Sequence, residues 1–121
     1  MRVLLVDDEE ELVSTLSERL ELRGVANDWT TTGEQGLAML AEREYDWVVL
    51  DMKMPGLGGL GALKAMRERW PGLRIVVVTG HTSKEDYDAG LAAGADHYLL
   101  KPVDVDELLA LMQVAGDKAR P

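Results

Sequence analysis

Short apolar runs recur along this chain with helix-spaced segments between them, and that alternation constrains the fold more than any other feature. The runs cover residues 3–6, 25–29, 47–50, 75–78 and 97–100. The first, third and fourth are unbroken and rich in leucine or β-branched residues, the pattern of strands buried on both faces of a parallel sheet. Between and after them, Leu12, Val13, Leu16 and Leu20 form one helical stripe, Leu60, Leu63 and Met66 another, and Val105, Leu108, Leu109 and Met112 a third. Gly24 and Gly94 stand where helices should stop, Thr32 and Asp104 where helices could be capped, and Pro71-Gly72 marks a turn. Over 121 residues this makes a β-α unit repeated five times, about 24 residues each. Strict alternation predicts an α/β domain, a five-stranded parallel sheet with helices on both faces. Right-handed crossovers favour the strand order 2-1-3-4-5, whose chain reversal between strands 1 and 3 opens a cleft at the carboxyl ends of the strands.

The strand ends are therefore the places to search. Strand 1 is followed by Asp7-Asp8 and then Glu9, Glu10 and Glu11; strand 3 runs into Asp51; strand 4 ends in Thr79; strand 5 ends in Lys101-Pro102. Strands 1 and 3 are neighbours in this topology, so Asp7, Asp8 and Asp51 converge on the cleft. Two carboxylates about 4 Å apart repel by about 4 kcal/mol at an effective dielectric near 20, so three require a counter-charge. Mg²⁺ suits them, because it takes one or two carboxylates, keeps several waters and completes its octahedron with a phosphate oxygen. Lys101 adds a point positive charge and Thr79 a hydroxyl beside it, and together these groups read as a pocket for a phosphoryl group. Glu9, Glu10 and Glu11 read differently, as solvated acidic residues at the positive end of the first helix.

Composition narrows the function classes. With 22 acidic and 13 basic residues the net charge is −9, which repels a phosphate backbone and argues against direct nucleic-acid binding. The absence of cysteine excludes disulfides, thiolate metal sites and thiol nucleophiles, so a cytoplasmic location is the expectation. The opening apolar run is too short for a signal sequence or a membrane span.

The order and spacing of four segments carry a resemblance. They are Leu5-Val6-Asp7-Asp8-Glu9, residues 51–56 (Asp-Met-Lys-Met-Pro-Gly) with Gly59, Val78-Thr79-Gly80-His81, and residues 93–102 ending in Lys101-Pro102. In these the chain resembles the receiver domains of bacterial two-component response regulators, of the chemotaxis-regulator kind with a flavodoxin-like fold, from Arg2 to about Ala115. The resemblance implies that Asp51 accepts a phosphoryl group from a phosphohistidine on a sensor kinase or histidine phosphotransfer protein. It implies a Mg²⁺ site, open also to Mn²⁺, formed by Asp8, Asp51, the backbone carbonyl of Lys53 and, through water, Asp7. Lys101 would pair with Asp51 and the phosphoryl oxygens, Thr79 would bond the attached group, and Tyr98 would be the switch aromatic. Lys53 and His81 would line the pocket mouth, and a cis peptide before Pro102 would aim Lys101. Val103 and Gly58 depart from the residues common in the family, phenylalanine and an acidic residue.

A homodimer or effector surface is expected on the fourth helix, fifth strand and fifth helix, where Tyr87, Leu91, Tyr98, Leu111 and Val114 gather. Residues 1–121 read as one receiver domain, with 116–121 as a tail or the start of a linker. Three other functions compete. A flavin module would need a glycine-rich phosphate loop where Asp7-Asp8 stand, and an aspartyl phosphohydrolase would need a substrate cap for which 121 residues leave no room. A degenerate receiver, acting only as an interaction module, would not need the five-residue kit intact.

Overall fold

The computed structural model describes residues 1–80 and 84–119, with side chains at the end of the chain described as far as Gln113. Five strands, β1 (Arg2–Val6), β2 (Ala26–Thr30), β3 (Trp47–Asp51), β4 (Arg74–Thr79) and β5 (His97–Leu100), pair in parallel in the order β2-β1-β3-β4-β5. They alternate with α1 (Glu10–Leu22), α2 (Gly33–Glu42), α3 (Gly58–Arg69), α4 (Lys84–Ala92) and α5 (Val105–Ala119). The three unbroken apolar runs are the three inner strands, and every residue of β3 is buried. The edges are β2, which carries polar residues, and β5, which is only partly buried.

Successive residues of the inner strands face opposite sides, and each side has its own core. Val3, Leu5, Trp47, Val49, Val76 and Val78 pack with the α1 and α5 stripes. Leu4, Val6, Val48, Leu50, Ile75 and Val77 pack with Leu40 of α2 and Ala62, Leu63 and Met66 of α3. Met52, Met54 and Tyr98 lie half-buried at the margin of that second core.

Local signals fix the element ends. The Thr32 hydroxyl accepts from the Gln35 N–H at 3.1 Å, and Asp104 accepts from the N–H groups of Asp106 and Glu107. Gly24 (φ 76°) and Gly94 (φ 108°) end α1 and α4 in the left-handed region that other residues avoid. Helix α5 continues through Gly116 to Ala119, into the stretch that reads as a tail from sequence.

Candidate functional site

Parallel pairing brings all five carboxyl ends to one edge of the sheet. The ladder continues one residue past three of the strands, fixing the backbone there. Asp7 N–H donates to Thr30 O at 3.1 Å, Met52 N–H to Val78 O at 3.0 Å, and Lys101 N–H to Thr79 O at 2.8 Å. Asp7, Asp8 and Asp51 then offer carboxylate oxygens that all lie within 4.8 Å of one another, with Asp7 and Asp51 buried and Asp8 exposed. The carboxyl groups are also aimed by the backbone. Oδ1 of Asp7 accepts the Glu9 N–H at 2.9 Å, and Oδ1 of Asp51 accepts the Lys53 N–H at 3.2 Å.

Lys101 reaches into this group from the far side. Its Nζ lies 2.8 Å from Glu9 Oε1, 3.0 Å from Asp7 Oδ2 and 3.5 Å from Asp51 Oδ2. Burial pushes the Asp51 carboxyl up to about 7, the charge of Asp7 adds to it, the Lys53 N–H and Lys101 oppose it, and Asp8 raises it further. Burial works against the charge on Lys101, yet the hydrogen bonds it donates to Glu9 and Asp7 and the charges of Asp7 and Asp51 hold it above the ordinary lysine value. Four carboxylates around one ammonium leave an excess of negative charge. A donor set of hard carboxylate oxygens within 4.8 Å of one another fits a small divalent cation such as Mg²⁺ or Mn²⁺.

Thr79, on the strand beside Asp51, is buried at the end of β4. The peptide between Lys101 and Pro102 is cis. The Lys53 ammonium lies 4.0 Å from the carboxylate of Asp86 of α4. Tyr98 is half-buried; its ring lies 5.1 Å from that of Tyr87 and its hydroxyl donates to the Asp86 carbonyl at 3.4 Å. Burial and then Asp86 push its pKa up. Around it Tyr87, Leu91 and Leu100 stand exposed. His81 and the side chain of Val114 lie outside the described residues.

Glu9 departs from its reading as a solvated helix residue, because it holds Lys101 across 92 positions of sequence. Nothing in the sequence marks Glu34, whose Oε1 accepts the Leu57 N–H at 2.9 Å and ties the loop after Asp51 to α2. Gly59 has a steric duty: a Cβ there would fall on the Asp51 carbonyl oxygen and within 2.5 Å of the Met52 Cα and carbonyl oxygen. At the opposite end of the sheet, Arg67 gathers several loops. It donates to the carbonyls of Gly94, Pro71 and Leu73 and pairs with Asp96 at 3.0 Å.

Fold and site together define a doubly wound α/β domain with an acidic, lysine-countered pocket at its topological switch point. Comparison with known proteins gives that class its family. The sequence profile of the response regulator receiver domain matches residues 3–113. The response regulator MprA of Mycobacterium avium is 37% identical over 121 residues, all of this chain and 53% of that protein. The transcriptional regulatory protein QseB of Haemophilus influenzae is 36% identical over 113 residues, 93% of this chain and 51% of that one. The chain thus spans about half the length of the curated relatives it matches. Among solved structures, the CheY-like receiver domain protein of Methanospirillum hungatei superposes with a TM-score of 0.91 at 31% identity, covering 97% of this chain and 94% of that one. A Burkholderia pseudomallei response regulator bearing a phosphorylated aspartic acid, a calcium ion and citrate does so at 0.85 and 28%, covering 99% and 75%. The chain belongs to the response regulator receiver domain family of two-component signalling. Among the described residues, no helix is long and apolar enough to cross a membrane.

Proposed function

We propose that residues 1–121 act as one phosphoacceptor domain in which Asp51 takes a phosphoryl group from a phosphohistidine on a sensor kinase or histidine phosphotransfer protein. The observation that carries this reading is the meeting of Asp7, Asp8 and Asp51 within 4.8 Å while Lys101 lies 3.5 Å from Asp51. An Asp51 oxygen forms the new bond to phosphorus as the P–N bond breaks, and the electron pair of that bond leaves on the imidazole nitrogen. The ionised carboxylate needs no general base, so the protein's task is to position it and to neutralise oxygen charge. Asp7, Asp8, Asp51 and the Lys53 carbonyl would hold Mg²⁺, or Mn²⁺ in its place. When bound, the cation supplies positive charge beside the carboxylates and the phosphoryl oxygens.

Lys101 donates to the phosphoryl oxygens from the β5 side. Thr79 donates its hydroxyl from the end of β4, and Lys53 stands at the mouth. Once Thr79 is drawn toward the new group, the Tyr98 ring follows into the space behind it, changing the face made by α4, β5 and α5. Tyr87, Leu91 and Leu100, exposed on that face, are the groups a second copy or an effector would cover. The likeness to a regulator with a phosphorylated aspartate supports the chemistry.

The test is incubation with Mg²⁺ and phosphoramidate or acetyl phosphate, read by intact mass. The wild-type protein gains one phosphoryl group and Asp51→Asn gains none; equal labelling of the two removes Asp51 from the role. Asp8→Asn weakens Mg²⁺ binding, followed by isothermal titration calorimetry, and an unchanged titration contradicts its place among the ligands.

A further inference from the structure

Lys101 has three carboxylate partners, and the nearest is the one that chemistry at Asp51 does not need. Glu9 Oε1 lies 2.8 Å from its Nζ, Asp7 Oδ2 3.0 Å and Asp51 Oδ2 3.5 Å. An ammonium on a flexible four-carbon stem settles where its donors are best satisfied. Here that point is displaced toward Glu9. The three acceptors differ in freedom. Asp7 and Asp51 are buried and each is fixed by a backbone N–H, whereas the Glu9 side chain is 57% exposed and sits at the N-cap of α1. That cap position makes no side-chain capping bond, so the carboxylate has no local duty. Its bond to Lys101 closes a 92-residue separation between the β1–α1 and β5–α5 loops.

We propose that Glu9 is a positioning residue that draws Lys101 away from Asp51 in the unphosphorylated domain and thereby slows phosphorylation. The proposal rests on the phosphoacceptor reading of Asp51. In the step concerned, an Asp51 oxygen bonds to phosphorus as the P–N bond of phosphoramidate breaks, and the protonated nitrogen departs with that electron pair as ammonia. Lys101 must meet the phosphoryl oxygens as charge accumulates on them, so it has to leave Glu9, which is free to turn into solvent. A half-exposed ion pair is worth up to about 1 kcal/mol, which converts to about fivefold in rate.

Three variants separate reach from charge. Glu9→Gln removes the charge, Glu9→Asp keeps it but withdraws it by one methylene, and Glu10→Gln removes an exposed neighbouring charge. With phosphoramidate and Mg²⁺, both Glu9 variants are expected to label about fivefold faster than wild type, and Glu10→Gln at the wild-type rate. A rise in Glu10→Gln equal to that in Glu9→Gln, or a wild-type rate in Glu9→Asp, overturns the proposal by reducing it to net charge. A second readout needs neither metal nor donor: the Lys101 Cε and Nζ NMR signals of the metal-free protein. They shift in both Glu9 variants and stay in place in Glu10→Gln; unshifted signals in the Glu9 variants show that the pair does not exist and overturn the proposal. If wild type and Glu9 variants all remain unlabelled, the phosphoacceptor reading has failed and the proposal with it. If wild type is labelled and the Glu9 variants match its rate, only the proposal falls.

Discussion

Replacing Asp51 with asparagine should stabilise the metal-free domain while abolishing its phosphorylation. The carboxyl is pushed up to about 7 in the folded protein, by burial first and by Asp7 next, against an ordinary value of 3.8. A folded-state value above the unfolded one means that the stabilising contribution is full below about pH 4 and is lost as pH rises to about 7. Above pH 7 the ionised group therefore destabilises the fold, with a ceiling of about 4 kcal/mol. Asparagine avoids that penalty at little local cost. Its Oδ1 can still accept the Lys53 N–H, bonded to Asp51 at 3.2 Å, and its amide can donate to Asp7 or Asp8. The pair with Lys101 is lost, but it is the longest of that lysine's three, and Asp7 and Glu9 keep the ammonium.

We expect a net gain of about 2 kcal/mol at pH 8, or about 1 M in the urea midpoint for a domain of this size. The assay is urea unfolding with EDTA, followed by tryptophan fluorescence, at pH 8, 6 and 4. The gap should shrink as pH falls through 7 toward 4, because the native protein then holds Asp51 neutral. Added Mg²⁺ should close the gap from the other side by stabilising wild type more than the variant. An Asp51→Asn protein no more stable than wild type at pH 8, or a gap independent of pH, refutes the claim that the pocket stores repulsion.

Other positions give separate tests. Gly59→Ala places a methyl group against the backbone of Asp51 and Met52, so it should lose both stability and phosphoramidate labelling, measured by urea unfolding and intact mass. Arg67→Ala leaves the carbonyls of Gly94, Pro71 and Leu73 without their charged donor and should cost about 3 kcal/mol in urea unfolding, with little recovery in Arg67→Lys, which lacks the fork. Tyr45→Phe removes a 2.7 Å bond to Asp28 and should cost about 1 kcal/mol at pH 7. Burial first, and then the Asp28 bond, raise the Tyr45 hydroxyl to about 12, so that cost should persist to about pH 10 and vanish toward pH 12.

The inner half of the fold is legible in the sequence because burial on both faces demands unbroken apolar runs, as in Trp47-Val48-Val49-Leu50. The edges are less so. The run at 25–29 is one residue early against β2, because Val25 packs beneath the sheet edge while the strand itself carries Asn27, which bonds Ser17. Helix α4 shows no apolar stripe because its one buried residue is Gly90, which leaves room for the Tyr98 ring. In the site, Asp7, Asp8, Asp51, Thr79 and Lys101 can be read directly, since a polar residue ending a buried strand breaks the local pattern. Glu9, Glu34 and Arg67 cannot. Exposed acidic residues at helix starts and a basic residue in a last helical turn are ordinary there, and only the distant partner gives each its meaning.

The same contrast bears on the proposed pairing of a cation with a phosphoryl anion in this pocket. Buried charges are normally paired one to one, because an uncompensated carboxylate costs more than its contacts return. In this pocket four carboxyl groups share one ammonium, and two of them are buried on strand ends held by the backbone ladder. No rearrangement of the strand ends relieves them without breaking the ladder that fixes Asp7, Met52 and Lys101. Relief has to come as a proton on Asp51 or, above about pH 7, as a divalent charge from outside. With that charge in place, Lys101 is no longer required by the carboxylates and becomes available to phosphoryl oxygens. Under the proposed function, stored repulsion of this kind would couple metal occupancy to reactivity at Asp51, and it predicts that labelling by phosphoramidate rises with Mg²⁺ and falls to background in EDTA. Labelling at the same rate in EDTA would mean that Lys101 alone meets the charge requirement.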